Sequence, residues 1–409
     1  MSPKTPRAPL ARHGNLRSPR PIAQLGTIAA AVFAVLVLSL AGTAAFAGWT
    51  AVSTIHDNAV ALESAQPLPP SIGQIEGGVN LLMVGTDSCE GQDLKLFPRC
   101  AHDDGGERND VTMLIHIGDN PRRVTVVSFP RDMIVPIPSC PSASGGRYSA
   151  MSAQMLNVSY SYGGLACTAL TIQELTGVDI QFAAAIRWTG VIHMSDAIGG
   201  VDVCVAGDIN DKNTGLHLKA GEHTLVGAEA LQFLRIRHGI GDGSDLGRIS
   251  NQQQFMSSLV RKLQSGGVFG DPTKLFSLAT TAIQQVSEKQ LVLDQNLANP
   301  TRMVQIAMAL KSVPYKDIVF VQYPTEYDAA NDDRVLPVKG AADTLFAALK
   351  ANKALNLTGK AGVGVNAEGA APGEATPAPT DSPNPDSVDL PGVITGTTAA
   401  QTTCTRPQQ

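Results

Sequence analysis

Two groups of acids and arginines stand out in the sequence because their types suit a phosphate-bearing substrate. Asp87, Arg108, Asp110, Arg131 and Asp132 each flank an apolar stretch. Carboxylates offer hard oxygen ligands to an ion such as Mg²⁺, and guanidinium groups offer forked donors to phosphate oxygens. The simpler alternative is a set of ion pairs at strand ends, which are common and contribute little. The second group lies in Ala230-Leu-Gln-Phe-Leu-Arg235-Ile-Arg237-His238 and, a little further on, Asp245-Leu-Gly-Arg248-Ile-Ser-Asn-Gln252. A helix starting near Gly247 would put Arg248 and Gln252 on one face with Phe255 and Leu259. Arg248 would then sit near free N–H groups that favour anions. Arg235 and Arg237, two apart, face the same way only in extended backbone, so the preceding helix is expected to end before them. For any single residue a solvated helix face is the blander reading. Several arginines bunched around turns in an acidic chain argue for a site.

The elements that must position these residues are legible as alternating strand and helix signals. Val79-Asn-Leu-Leu-Met-Val84 reads as a buried strand closed by Gly85. Val111–Ile117 and Arg123–Phe129 read as two more, joined by the turn Gly118-Asp-Asn-Pro121 and stopped by Pro130. A short turn makes the latter pair antiparallel. If the first strand is also antiparallel to the second, Asp87, Arg108, Asp110, Arg131 and Asp132 meet at one sheet edge. Helical patterns follow at 150–176, 189–198, 228–236, 249–263, 301–310 and 341–354, with strands at 180–188, 201–205 and 318–323. The fold class this implies is α/β, a mixed central sheet covered by helices.

The chain has 409 residues, 43% of them hydrophobic and 16% charged, with a net charge of -5. Lys4, Arg7, Arg12, Arg17 and Arg20 precede residue 21 without any acid, so the remainder is the acidic part, which argues against binding nucleic acid. From Leu25 to Trp49 no residue is charged, a run sufficient for a membrane helix of roughly 20 residues. Ala45-Phe46-Ala47 has the form of a signal-peptide cleavage site, but the run exceeds the usual ~7–15 residue signal core, so an uncleaved anchor is the expectation. The basic tail at 1–24 is expected in the cytoplasm, the membrane helix at 25–49 and a linker at 50–78. A globular domain is expected outside the cell at 79–355, and a disordered Pro/Ala/Thr-rich tail at 356–409. Six cysteines without zinc-like spacing fit disulfides in an exported domain, Cys89–Cys100 and Cys140–Cys167 being the local pairings. No phosphate loop of the Gly-x-x-x-x-Gly-Lys type and no Gly-x-Ser-x-Gly elbow is present.

The motifs also come in a recognisable order. Asn80-Leu-Leu-Met-Val-Gly-Thr-Asp87, Arg108-Asn-Asp110, Val127-Ser-Phe-Pro-Arg131-Asp132 and Asp196-Ala-Ile-Gly-Gly-Val-Asp202 are followed by Arg235-Ile-Arg237-His238 and Asp245-Leu-Gly-Arg-Ile-Ser-Asn-Gln-Gln-Gln254. This series resembles the LytR-CpsA-Psr family over roughly residues 79–265. The resemblance implies a magnesium-dependent phosphotransferase that moves a glycosyl-phosphate polymer from a polyprenyl-pyrophosphate carrier to a hydroxyl of peptidoglycan. It implies Asp87 and Asp110 as the Mg²⁺ ligands. Arg131, Arg235, Arg237 and Asp245 would be catalytic, with Arg108, Asp132, Arg248 and Gln252 binding substrate. It also implies an apolar groove for the lipid, with Leu82, Val84, Ile115, Leu170 and Ile186 as wall candidates that ordinary core packing would equally explain. A lipid-pyrophosphate hydrolase and a non-catalytic envelope regulator or wall-binding module are the rival readings.

Overall fold

The computed structural model describes residues 21–408 except 64–67, 76, 103–105, 143, 269–270 and 368–385. The expected meander is its centre: β1 (Val79–Thr86), β2 (Asn109–Ile117) and β3 (Val124–Phe129) pair antiparallel in sequence order. Their β-branched and apolar side chains suit a pleat buried on both sides. The meander occupies the middle of a seven-stranded sheet ordered Leu291–Leu293, Phe182–Ile186, β1, β2, β3, Ile318–Gln322, Gly396–Thr398. Phe182–Ile186 runs parallel to β1 and Ile318–Gln322 parallel to β3, while the outermost pairs are antiparallel. The sheet is therefore mixed.

Helices cover both faces. Leu82, Val84, Leu114 and Val127 point into one core, closed by α2 (Val158–Thr176) and α8 (Lys339–Lys350) through Leu165, Ile172, Leu345 and Leu349. Leu81, Met113, Val126 and Phe320 point to the opposite core. There α5 (Asp245–Lys262), α6 (Pro272–Ser287) and α7 (Pro300–Lys311) pack through Met256, Val286 and Ile306. Because strand side chains alternate, Leu82 and Val84 share a core that Ile115 and Ile186 do not, so these wall candidates cannot line one groove. A smaller core holds the strand Val201–Val205 against α4 (Gly227–Arg235) and α5, with α3 (Trp188–Ala197) alongside α4.

Three expectations change. The helical pattern at 150–176 begins as a strand, Met151–Met155, because this segment pairs with Ile134–Ile137; only from Val158 is it helical. The segment 50–78 is not a free spacer: α1 (Pro21–Asp57) runs into it, Ile55 and Ile72 are buried in the core of the globular unit, and Val60 bridges to Asp294. Of the expected disordered tail at 356–409, the described residues 356–367 and 386–408 are folded. Gly396–Thr398 extends the central sheet, and Thr403–Thr405 enters a four-stranded sheet beside Val201–Val205. Sheet edges with unpaired backbone groups recruit these short strands, and Cys204–Cys404 fastens the second. Cys89–Cys100 and Cys140–Cys167 form the two local pairs expected. Considered by itself, the N-terminal part of α1 is the one helix among the described residues long and apolar enough to cross a membrane, with Phe33, Leu36, Leu38 and Leu40 exposed.

The tail is also tied in by polar groups. Thr405 is fully buried; its hydroxyl donates to Asn251 Oδ1 at 2.6 Å and abuts Gln254 Oε1. The near-isosteric Thr405→Val leaves buried amide oxygens short of a donor, which costs about 1–3 kcal/mol. A lower urea midpoint with an unchanged slope is the expected outcome, and an unchanged midpoint would mean the tail adds nothing to the core.

Candidate active site

The site is built where the meander opens. Gly85 pairs with Val111 but Thr86 pairs with Asn109, so Asp110 is the extra residue of a β-bulge. Bulges re-aim side chains, and here the carboxylate turns to the sheet edge. Gly85 allows the close approach, since a Cβ there would lie 3.1 Å from Val111 Cβ. Asp87 is fixed by a reciprocal pair: its N–H donates to the Arg108 carbonyl at 3.1 Å, and the Arg108 N–H donates to Asp87 Oδ1 at 2.8 Å.

Arg131, two residues past β3, ties this edge to α5. Its Nη1 lies 2.6 Å from Asp110 Oδ1, and its Nε lies 3.3 Å from Asp132 Oδ2 and 3.7 Å from Asp245 Oδ1. Arg248 Nη2 completes the link, 2.5 Å from Asp245 Oδ1 and donating to the Asp110 carbonyl at 2.9 Å. α5 starts at Asp245, two residues before the expected start, because the Ser244 hydroxyl caps it by accepting from the Gly247 N–H. α4 includes Arg235 as its last residue, and Ile236 then leaves helical geometry with ψ 135°, so Arg237 falls in the following loop.

Gln252 is placed differently from a ligand-facing residue. It is buried, and its amide donates to the Leu234 carbonyl at 2.8 Å, while Asn251 donates to the Phe233 carbonyl at 2.7 Å. Gln254 donates to the carbonyls of Cys204 and Thr403. Asn251, Gln252 and Gln254 thus satisfy backbone groups at the end of α4 and in the small sheet, fixing where Arg235 stands. Arg108 reaches the site through its backbone, and its side chain is exposed. Arg237 Nε is buried without a hydrogen-bond partner among the described residues.

The electrostatics follow from this layout. Burial, and then the neighbouring Asp110 charge, raise the Asp87 carboxyl above its ordinary value. Burial acts on Asp110 as well, but Arg248 and Arg131 outweigh it and hold that carboxyl low. Arg131 is desolvated too, yet Asp110, Asp245 and Asp132 keep its cation favoured. Arg235 goes the other way: burial and the Arg99 charge bring it down to about 10. Two acids close enough to repel are the surroundings a cation would relieve. Two carboxylates, with other positions left to water and substrate oxygens, suit Mg²⁺ better than a caged metal. Among the described residues no group of three or more His, Cys, Asp or Glu could hold one.

Several neighbours have no counterpart in the motif reading. Glu107 holds Arg187 by two bonds, Nε to Oε1 at 2.9 Å and Nη2 to Oε2 at 2.7 Å, and accepts from the Thr86 hydroxyl at 2.5 Å. This clamp braces the ends of β1 and β2 beside Asp87. Trp188, Arg99 and Tyr160 also lie here. Glu107 adjoins Arg108-Asn-Asp110, the one local signal; nothing in the sequence links it to Arg187.

Acids and arginines thus gather on one edge of a mixed sheet in a helix-covered α/β fold. A model of the LytR_cpsA_psr family matches residues 47–351, well over half of the sequence, and the chain belongs to that family. Among curated relatives, it is 27% identical over 279 residues to the cell wall biosynthesis protein LcpA of Corynebacterium glutamicum, covering 63% of this chain and 52% of LcpA. It is 30% identical over 188 residues to the polyisoprenyl-teichoic acid–peptidoglycan teichoic acid transferase TagU of Bacillus cereus, covering 46% of this chain and 56% of TagU. The chain thus spans only a little over half the length of these relatives. The LytR-Csp2A-Psr enzyme from Actinomyces oris superposes with a TM-score of 0.51 at 21% identity, over 71% of this chain and 95% of that one. TagT bound to LIIa-WTA gives 0.51 at 19% identity, over 72% and 98%. These likenesses establish the fold.

Because Asp87 has a raised folded-state value, its favourable contribution is complete below 3.8 and is lost as pH rises through that folded value. At pH 7 in chelator its charge therefore opposes folding. Asp87→Asn is expected to melt higher than the parent at pH 7, with the gain shrinking as pH approaches 3.8. Melting curves across that range check the sign, and a lower melting temperature at pH 7 would contradict it.

Proposed function

We propose that this chain transfers a glycosyl-phosphate polymer from a polyprenyl-pyrophosphate carrier to a hydroxyl of peptidoglycan. The observation that carries the reading is the meeting of Asp87, Asp110, Arg131, Arg235 and Arg248 at one sheet edge. Beside that edge, Met83, Val111, Ile115 and Ile186 on the face toward α5–α7 are only partly buried although they lie on the sheet's inner strands. Incompletely filled apolar space beneath a cationic rim suits a lipid chain ending in a diphosphate. The relatives' names, cell wall biosynthesis and teichoic acid transfer to peptidoglycan, point the same way.

In this reading an acceptor hydroxyl attacks the phosphorus that bears the glycan. The bond from that phosphorus to the bridging oxygen breaks, and polyprenyl phosphate leaves with the electron pair. Arg131, Arg235 and Arg248 bind the diphosphate and stabilise charge on the departing oxygen. Asp132 and Asp245, the carboxylates beside Arg131, are the candidates to take the acceptor's proton. Mg²⁺ held by Asp87 and Asp110 would supply Lewis-acid charge next to the same phosphates. The basic residues before 21 put the N-terminus in the cytoplasm and the globular unit outside, where its three disulfides would persist.

Incubation of the purified protein with a defined polyprenyl-pyrophosphate glycan, Mg²⁺ and peptidoglycan tests the reading. Covalently attached glycan is expected, with turnover falling about 10²–10³-fold in Arg131→Ala and Asp87→Ala. Full turnover in both variants would overturn the assignment. Released glycan phosphate without attachment would show water as the acceptor, and the protein as a hydrolase.

A further inference from the structure

The connection between β1 and β2 carries a cation that no motif of the site includes. Cys89 and Cys100 close this connection into a ring, with their Cα atoms 5.1 Å apart. The ring ends in the short turn Pro98–Ala101, and Phe97 just before it is buried with its ring centroid 4.8 Å from that of Trp188. Phe97, Trp188, Ile192 and Leu231 form an apolar cluster of their own, with Cys89 and Cys100 packed against it. That cluster fixes the disulfide ring onto α3 and α4, the helices that flank the sheet edge.

The consequence is the position of Arg99. Its guanidinium carbon lies 4.8 Å from the centroid of Trp188, and that of Arg235 lies 4.1 Å from the same centroid. Two cations share one indole. Arg99 is exposed, and its charge acts on Asp87 as well as on Arg235. Among the described residues neither guanidinium makes an ion pair, whereas Arg131 and Arg248 are both tied to carboxylates. The two like charges repel, Asp87 offsets part of each, and an anion within reach of both guanidinium groups is attracted by both. The disulfide ring holds Arg99 and the end of α4 holds Arg235, each against Trp188, despite the repulsion.

We propose that Arg99 is a substrate-binding residue, presented by the Cys89–Cys100 ring at the rim of the site so that it and Arg235 together grip the donor's diphosphate. This rests on the donor reading given above. The ring sets the geometry and the arginine supplies the contact, so the two act as a unit.

Steady-state kinetics with the polyprenyl-pyrophosphate glycan, in Mg²⁺ and saturating peptidoglycan, test it. Arg99→Ala should raise the donor KM about tenfold, the scale of one charge-assisted hydrogen bond, with the effect on KM rather than kcat. Arg99→Lys should restore part of the loss. Cys89→Ser with Cys100→Ser should raise KM in the same direction, and adding Arg99→Ala to it should cost little more, because neighbours acting as one unit are not additive. A parental donor KM in Arg99→Ala overturns the proposal, whatever the cysteine variant does. Arg131→Ala run in parallel keeps the two readings apart. If it is inactive while Arg99→Ala has parental KM, only the role of Arg99 fails; if Arg131→Ala is fully active, the donor reading itself fails.

Discussion

The Arg131 guanidinium, set among Asp110, Asp132 and Asp245, is the interaction on which the site depends. It joins a bulged sheet edge to the first turn of α5, a link that Arg248 reinforces by reaching the Asp110 carbonyl. Partly buried carboxylates without such a partner would carry uncompensated charge, which is far more costly than an exposed ion pair is favourable. The arginine therefore fixes the register of α5 against the meander. Arg248 shares Asp245 with it, so the two arginines and these acids form one connected ion-pair network.

Around that link the polar groups divide by task. Arg131 and Arg248 are paired to acids and held rigidly, while Arg235 rests on Trp188 and carries a depressed basicity. The first pair shapes the site, and the second environment leaves donors for a ligand. Preorganised donors of this kind need little rearrangement when charge develops. The amides of Asn251, Gln252 and Gln254 have a different task, satisfying carbonyls at the end of α4 and in the small sheet. Buried backbone acceptors require such partners. The polar run in α5 thus belongs to the architecture that aims Arg235.

The family match ends at residue 351, yet strands beyond it complete both sheets. Gln408 exchanges hydrogen bonds with Gly239, and Arg406 accepts from the Gly241 N–H, so the C-terminal segment lies along the loop carrying Arg237 and leading to Asp245. The Cys204–Cys404 bond fixes the same segment to the strand beneath α5. The site's second half is therefore braced by residues well outside the matched region.

By itself the sequence determined the three meander strands and the antiparallel turn between the second and third, while the pairing of the first strand and the bulge at Asp110 came from the fold. Apolar strands punctuated by Gly85, Pro121 and Pro130 admit a short-turn antiparallel arrangement, and that topology alone brings Asp87, Asp110 and Arg131 to one edge. The helix pattern at α5 located Arg248, because period and capping are local properties, whereas the preceding helix, expected to end before Arg235, takes that residue in as its last. What required tertiary structure was every partnership between distant segments. The Glu107–Arg187 clamp, the approach of Arg99 to Trp188 and the amides of Gln252 and Gln254 join residues that no periodicity relates. The same holds for Met151–Met155, drawn from a helical pattern into a strand, and for Gly396–Thr398 and Thr403–Thr405. These three short strands lack an apolar run that would announce them and form because an unpaired edge offers them hydrogen bonds.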